Sequence, residues 1–294
     1  MKHRYLITGA TGKIGVFLIN RLGIDEYLGI SRQKSGKGIV NLDLSTWIFS
    51  SPDQFLEYDT VIHLAAKAHI DNCEEDRKFG KDGETWKNNV DATKNIVEFC
   101  RQTKKKLVYL STECIFNGKK KKYTEKDIPC PINWYGETKL EAEKIVMSLP
   151  DSLILRTVMA YDGRQEHKDI VSDFAFKLEK KEKLIAATDQ IVSFTYTGDI
   201  VDAILISSEK NLKGIYHFVG KDAVSVYKLA VEIGNIIGSD SSLIVPATVE
   251  DILGKKKAML RLKNSVLDYS KFYKDTGFMA LSLVEGLKRS LNKY

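Results

Sequence analysis

The sequence predicts an α/β chain built on a doubly wound parallel sheet, with a smaller C-terminal lobe. Short β-branched runs alternate with amphipathic helical stretches through the first half of the chain. A glycine-rich turn joins the first of those runs to the first helical stretch. The length of 294 residues is enough for a sizeable core, in one large domain or two unequal ones.

Taken in order, Tyr5-Leu6-Ile7 is the first strand, and Ile14, Phe17, Leu18 and Leu22 recur at the three- and four-residue spacing of a helix face. Tyr27-Leu28-Gly29-Ile30 is the second strand and Thr60-Val61-Ile62-His63-Leu64 the third. Val90, Lys94, Val97 and Arg101 mark the next helix, with Ile96, Phe99 and Cys100 on its apolar side. Leu107 to Leu110 form the fourth strand and Leu153 to Leu155 the fifth, separated by a helix that carries "YGETK" and ends near Pro150. Strand, helix and strand repeated in this way imply parallel strands with helices on both faces. Beyond about Arg156 the rhythm loosens. "DIVSDFAFKLEKKEKL" and "SVYKLAVEIGNIIG" are expected helices, the second stopped by its glycine, and "GIYHFVG" an expected strand. The expected division is 1–156 for the dinucleotide-binding domain, with 191–222 contributing, and 157–190 with 223–294 for the interleaved smaller lobe.

Composition excludes several classes. The chain is 43% hydrophobic and 29% charged, with no apolar run near the roughly 20 residues that span a bilayer. "MKHRYLITGATG" has no signal-peptide core, so a cytoplasmic protein without a membrane partner is expected. Cys73, Cys100, Cys114 and Cys130 show no C-x-x-C spacing and are expected to be free thiols. The net charge of +6 comes largely from lysine clusters at 104–106, 119–122 and 255–257. None interleaves with stacking aromatics, so they are expected on solvated surface rather than on nucleic acid.

"YLITGATGKIG" places Gly9, Gly12 and Gly15 three apart, between a strand and a helix. Glycine permits a tight turn there and lets a pyrophosphate approach the amides at the helix N-terminus. The spacing differs from G-x-G-x-x-G, but its strand-turn-helix context makes it a dinucleotide site. After the second strand, where sites preferring NAD usually place Asp or Glu, stand Ser31 and Arg32. A guanidinium and a hydroxyl suit a 2′-phosphate, so NADP(H) is the expected cofactor, with NAD(H) also admissible.

"WYGETKL" sets Tyr135 and Lys139 four apart, on one face of a helix. An ammonium beside a phenol favours the phenolate and should lower a pKa that is ordinarily near 10. Tyr135 is therefore a candidate general acid or base. The fourth strand ends at Ser111-Thr112-Glu113, where a hydroxyl could reach a substrate carbonyl, and the third at "HLAAKAH", where Ala65 and Ala66 leave room for a nicotinamide ribose.

These segments together resemble the extended short-chain dehydrogenase/reductases, through "TGATGKIG", "VIHLAA", Asn89 in "NNVDATKNIVEFC", and "YGETK". Within them the chain is most similar to the dTDP-4-dehydrorhamnose reductases, through "STECIFNG", "YTEKDIPCPINWYGETKLEAE", "LILRT", "DQIVSFTYTGDIVDAI", "GIYHFVG" and "RLKNSVLDYSKF". The resemblance implies a Rossmann-type domain that reduces a 4-keto nucleotide-sugar with NAD(P)H. It makes Tyr135 the proton donor, Lys139 the residue that binds the nicotinamide ribose, and Thr112 the group that polarises the carbonyl. It assigns Gly9, Thr11, Gly12, Lys13, Ile14 and Gly15 to the pyrophosphate, Asp43 and Leu44 to the adenine side, and Leu64, Ala65 and Ala66 to the nicotinamide side. Thr112, Glu113, Met159 and Arg261 are the implied substrate contacts, Arg261 facing the diphosphate. No metal is implied, and a homodimer is allowed for.

The chain departs from the family pattern at the pocket. Glu113 and Cys114 stand where Asp and Tyr are usual, Met159 replaces a tryptophan, Lys67 an aromatic, and Leu262 a proline. Two rivals share the framework: an epimerase or dehydratase that keeps NAD bound, and a non-catalytic subunit resembling the regulatory subunits of methionine adenosyltransferase. His69, Asp71, Cys73 and Glu74 fit no common zinc spacing and are expected on a polar loop. His63 and His217 are expected as structural histidines. Trp134 suits either a pocket wall or the core.

Overall fold

Continuous β-branched and apolar runs bury both faces of a strand, and here they build one seven-stranded sheet. The computed structural model describes residues 4–32, 36–47, 55–167 and 169–291. Strands β1 (Tyr5–Thr8), β2 (Tyr27–Ser31), β3 (Ile39–Asn41), β4 (Thr60–His63), β5 (Lys106–Thr112) and β6 (Ser152–Thr157) are joined in this sheet by Gly214–His217. From that last strand the order runs through β6, β5, β4, β1, β2 and β3. β1 pairs in parallel with both β2 and β4, β2 with β3, and β4 with β5. The reversal of winding at β1 and β4 is the place where α/β sheets of this kind bind ligands.

Helices α1 (Lys13–Arg21), α2 (Ile70–Asp76), α3 (Glu84–Trp86), α4 (Ala92–Thr103) and α5 (Trp134–Val146) connect these strands. A π-type turn at Lys87–Asp91 leads into α4, whose buried stripe is Ile96, Val97, Phe99 and Cys100. That stripe packs with Leu6, Val61, Leu107 and Ile154 from the sheet in one core cluster. Each such side chain contributes about 1.5–3 kcal/mol on burial. α4 ends at Lys104 in the left-handed conformation.

The chain divides into two compact units. The first holds Met1–Ile115, Asn133–Arg156 and Ile204–Tyr216, and the second Phe116–Ile132, Thr157–Ala203 and His217–Tyr294. Of the 191–222 stretch assigned to the first domain from sequence, Ile204–Tyr216 is the part inside the first unit, and Phe116–Ile132 belongs to the second. The second unit contains β7 (Ala160–Tyr161), β8 (Leu184–Ala187), β9 (Ile191–Val192) and β10 (Thr195–Tyr196), with β7 parallel to β10. β8 pairs in parallel with Ile244–Ala247. Helix α6 (Ile170–Glu179) is capped by Asp169, whose carboxylate accepts the Val171 and Ser172 amides. It stops well short of the length expected from sequence, because Lys181 turns left-handed and the chain enters β8. Gly238, left-handed, caps the helix Val226–Ile237 as expected. Among the described residues no helix is long and apolar enough to cross a membrane.

Candidate active site

The turn after β1 is shaped by its glycines. Gly9 has φ +67°, and a Cβ on it would lie 2.8 Å from the Ala65 amide nitrogen. A Cβ on Gly15 would lie 2.3 Å from the Gly9 carbonyl oxygen. Larger residues at these points would break the turn. Gly12 begins α1 as its N-cap, and its N–H donates to the Gly9 carbonyl at 3.0 Å. Above this turn opens a cavity of about 350 Å³. Gly9, Thr11 and Gly12 form its floor, Ser31, Arg32, Asp43 and Leu44 one wall, and Leu64, Ala65 and Ala66 the other. Lys13, Ile14 and Gly15 stand outside that lining, in the first turn of α1.

Polar groups along the wall are already organised. The Thr11 and Ser31 hydroxyls lie 2.9 Å apart, and Arg32 Nη1 donates to Asn88 Oδ1 at 2.8 Å. The Asp43 carboxylate accepts the amide and hydroxyl of Ser45 at 2.9 and 2.7 Å. Those bonds, the hydroxyl's first, with Arg32's charge beyond them, hold its carboxyl below the usual range. A glycine cradle at a helix N-terminus, two hydroxyls and a guanidinium fit a dinucleotide bearing a 2′-phosphate.

The second cluster sits beyond the carboxyl end of β5. Asn133 caps α5 by accepting the Gly136 N–H at 2.8 Å, which starts the helix one residue before Tyr135. Helical spacing brings Tyr135 and Lys139 to one side of α5. Lys139 is buried; its Nζ donates to the Leu110 carbonyl at 2.8 Å and lies 4.0 Å from the centre of the Tyr109 ring. Thr112, also buried, donates its hydroxyl to Glu113 Oε2 at 2.9 Å and accepts the Cys114 N–H at 3.2 Å.

The tuning expected from the four-residue spacing is not what this geometry produces. Tyr135 is pushed well above the ordinary phenol value, by burial first and then by the neighbouring Cys114 and Glu113; a hydrogen bond with Thr112 acts the other way. Lys139 instead spends its charge on the Leu110 carbonyl and the Tyr109 face. Burial brings its own pKa down to about 7, opposed by Glu143.

Sequence reasoning missed the support behind Lys139. Glu143, one turn further along α5, is gripped by Arg156 of β6, with Nε and Nη2 at 2.9 and 2.7 Å from its two oxygens. The partners are 13 residues apart in different elements, so no local spacing announces them. His63 is a structural histidine, as expected: Nδ1 lies 2.6 Å from the Thr8 hydroxyl and Nε2 3.1 Å from that of Thr93. Burial, then the Lys139 charge, push its pKa down to about 3. Thr8 also accepts the Leu64 and Ala65 amides at 3.2 Å, fixing the cavity wall. Asn89 clasps Lys67 through both backbone groups, at 2.8 and 3.0 Å, and donates to Thr138 of α5 at 3.0 Å.

The remaining substrate candidates lie in the second unit. Met159 has φ +29°, a strained conformation for a side-chain-bearing residue, and its carbonyl accepts the Thr195 N–H at 3.3 Å. Arg261 lines a cavity of about 170 Å³ with Lys255, Lys263 and Asp189. Leu262 is buried, and a Cβ on Gly118 would lie 2.8 Å from its Cα. His217 is buried in the same unit, its N–H donating to Glu125 at 3.0 Å. His69 to Glu74 are not on a loop as expected: His69 caps α2, its ring accepting the Asn72 N–H at 3.4 Å, and Glu74 accepts the Trp134 N–H at 2.8 Å. Among the described residues no group of His, Cys, Asp or Glu is placed to hold a metal. Trp134 stacks on Trp86 at 6.0 Å, beneath the Arg77 guanidinium.

Comparison with known proteins matches residues 3–294 to the RmlD substrate binding domain family. A dTDP-4-dehydrorhamnose reductase of Aggregatibacter actinomycetemcomitans is 31% identical over 240 residues, 78% of either chain. Methionine adenosyltransferase 2 subunit beta of Mus musculus is 27% identical over 91% of this chain and 81% of its own. The crystal structure of a dTDP-4-dehydrorhamnose reductase from Bacillus anthracis, in complex with NADP, superposes with a TM-score of 0.84 at 25% identity, covering 100% of both chains.

Proposed function

Because the chain belongs to the RmlD substrate-binding family, we propose that it is an NAD(P)H-dependent oxidoreductase that reduces a 4-keto nucleotide-sugar of the dTDP-4-dehydrorhamnose type. The observation that carries this reading is the placement of Tyr135, Thr112 and Lys139 about the carboxyl end of β5, in the same unit as the glycine-floored cavity.

When bound, the reduced nicotinamide supplies the hydride that the carbonyl carbon accepts. The chain supplies the proton. As the C4 oxygen gains negative charge, the Tyr135 Oη–H bond breaks and an O–H bond forms on that oxygen, leaving a phenolate. Tyr135, like any phenol, is protonated at neutral pH and enters the reaction with a proton to give. Lys139 would hold the nicotinamide ribose and offset the phenolate charge. Ser31 and Arg32 would take a 2′-phosphate, which makes NADP(H) the preferred cofactor while NAD(H) remains usable. Asp43 and Leu44 line the adenine side, and Leu64 to Ala66 the nicotinamide side. The first unit would thus be the dinucleotide body and the second the sugar-nucleotide lobe, where Arg261 with Lys255 and Lys263 suits a diphosphate. Cys73, Cys100, Cys114 and Cys130 are free thiols, which supports a cytoplasmic setting; a homodimer is the oligomer we would test for first.

The test is stoichiometric. A reductase consumes one reduced cofactor for each keto-sugar, whereas an epimerase or dehydratase returns its hydride and consumes none. The likeness to methionine adenosyltransferase 2 subunit beta favours a second reading, a cofactor-binding partner of another enzyme. Binding of NADPH with no turnover, together with co-purification of a synthetase, would select it.

A further inference from the structure

Among the described residues, two cations line the glycine-floored cavity, Arg32 and Lys67. They are partnered differently. The Lys67 ammonium pairs with the Glu84 carboxylate at 3.0 Å, whereas Arg32 Nη1 donates to a neutral oxygen, Asn88 Oδ1, at 2.8 Å. The carboxylate on the wall beside Arg32, Asp43, is engaged by the Ser45 amide and hydroxyl. Asn88 lines the cavity too, and its other amide atom is occupied: Nδ2 donates to the Glu84 carbonyl, one turn earlier, at 2.7 Å. That bond fixes the amide's orientation, with the nitrogen towards Glu84 and the oxygen towards Arg32. Both ends of the Arg32–Asn88 bond start from anchored backbone. The π-type turn Lys87–Asp91 is pinned by buried Asn89, which clasps the Lys67 backbone, and the Arg32 carbonyl accepts Asn41 Nδ2 at 3.3 Å.

We propose that Asn88 is a positioning residue that sets cofactor selectivity: by holding Arg32 through a neutral oxygen, it orients the guanidinium for a 2′-phosphate and leaves its positive charge unspent. The inference deepens the NADP(H) reading and rests on it. A guanidinium presents five N–H donors in one rigid plane. A single bond to an amide oxygen fixes that plane at the cost of one donor. A carboxylate in the same place would fix it as well, but would cancel much of the charge that a phosphate needs and would repel the phosphate itself. Lys67 illustrates the difference, since its ammonium is already matched by Glu84. Of the two cations, Arg32 is therefore the one prepared for an anion. Its place at the end of β2, next to Ser31, whose hydroxyl lies 2.9 Å from that of Thr11, puts it beside two further groups that can donate to phosphate oxygens. Asn88 reaches this wall from a different element, 56 residues away, and acts on the phosphate only through Arg32.

The experiment titrates the full-length protein with NADPH and NADH, following nicotinamide fluorescence, and needs no sugar substrate. Asn88→Ala should weaken NADPH by about three- to tenfold while NADH binding stays nearly unchanged. Asn88→Asp should weaken NADPH further, by roughly ten- to a hundredfold, because the new carboxylate both claims the guanidinium and repels the phosphate. In an Arg32→Ala background, Asn88→Ala should leave the ratio of the two affinities where Arg32→Ala alone puts it. That last readout separates positioning from a general effect on the fold, which would persist without Arg32. Equal losses of NADPH and NADH would overturn the proposal, as would an undiminished effect of Asn88→Ala when Arg32 is absent. Tighter NADPH binding by Asn88→Ala would also overturn it, since the bond would then hold Arg32 away from the phosphate. Should Asn88→Ala fail to fold, Asn88→Asp carries the test: a loss confined to NADPH supports the proposal, and a loss shared with NADH contradicts it. A wild type that binds both nucleotides equally would refute the phosphate assignment itself. An NADPH preference lost in Arg32→Ala but kept in Asn88→Ala would sink this inference alone.

Discussion

Lys139 donates its Nζ to the carbonyl of Leu110 at 2.8 Å, which ties the middle of α5 to β5. The bond is made in a nearly dry place, and the lysine's pKa there is down at about 7, against an ordinary value near 10.5. The folded state therefore gives up a proton that the unfolded state keeps. Where the unfolded chain binds more protons, stability rises with pH. The gain should develop between about pH 7 and 10, and the burial penalty should be fully present below it. Urea unfolding of the wild type and Lys139→Met across that range checks this. The difference in their stabilities should change by a few kcal/mol in favour of the wild type as pH rises.

Arg156 and Glu143 are 3% and 1% exposed, so each is the other's replacement for water. Removing one leaves a buried charge, at a cost of about 3–5 kcal/mol, while removing both can be far milder. Arg156→Met alone should therefore lower the unfolding free energy by that amount. The double change Arg156→Met with Glu143→Leu should recover much of the loss. A double-mutant cycle measured by chemical denaturation decides it, and simple additivity would contradict the pairing.

The cofactor cavity yields a contrast between two substitutions. Gly15→Ala would press a methyl into the Gly9 carbonyl, so NADPH and NADH binding should weaken together. Arg32→Ala should remove a charged contact made only to the 2′-phosphate, worth about 1.5–3 kcal/mol, or roughly ten- to a hundredfold. Fluorescence titration with both nucleotides measures each. Equal losses for Arg32→Ala would refute the phosphate assignment.

Much of this architecture was legible in the sequence where the signal is local. The runs around Ile7, Ile30, Ile62, Val108 and Ile154 all lie in strands of the large sheet, and the glycine turn stands where its spacing places it. The three-residue strand Ile39–Asn41 was not read, since a short, half-exposed edge strand carries no alternation to detect. α2 looks like a loop in sequence because Cys73 is its one buried residue amid five acidic or amide side chains. The partnership of Glu143 with Arg156 depends on how α5 packs on β6, which composition does not encode. The sign of the Tyr135 shift was misjudged for a related reason. Spacing reveals that an ammonium is near, but burial, and after it the neighbouring Cys114 and Glu113, decide the outcome, and all of these belong to the folded state.

The central claim is that Tyr135 supplies the proton for reduction of a 4-keto nucleotide-sugar. The most direct measurement compares the wild type with Tyr135→Phe, each loaded with NADPH and then given dTDP-4-dehydrorhamnose, while the absorbance of the reduced nicotinamide is followed. The account predicts stoichiometric oxidation by the wild type and a loss of about 10²–10⁴ in rate for the variant, with NADPH affinity retained. Equal rates in the two proteins would contradict it.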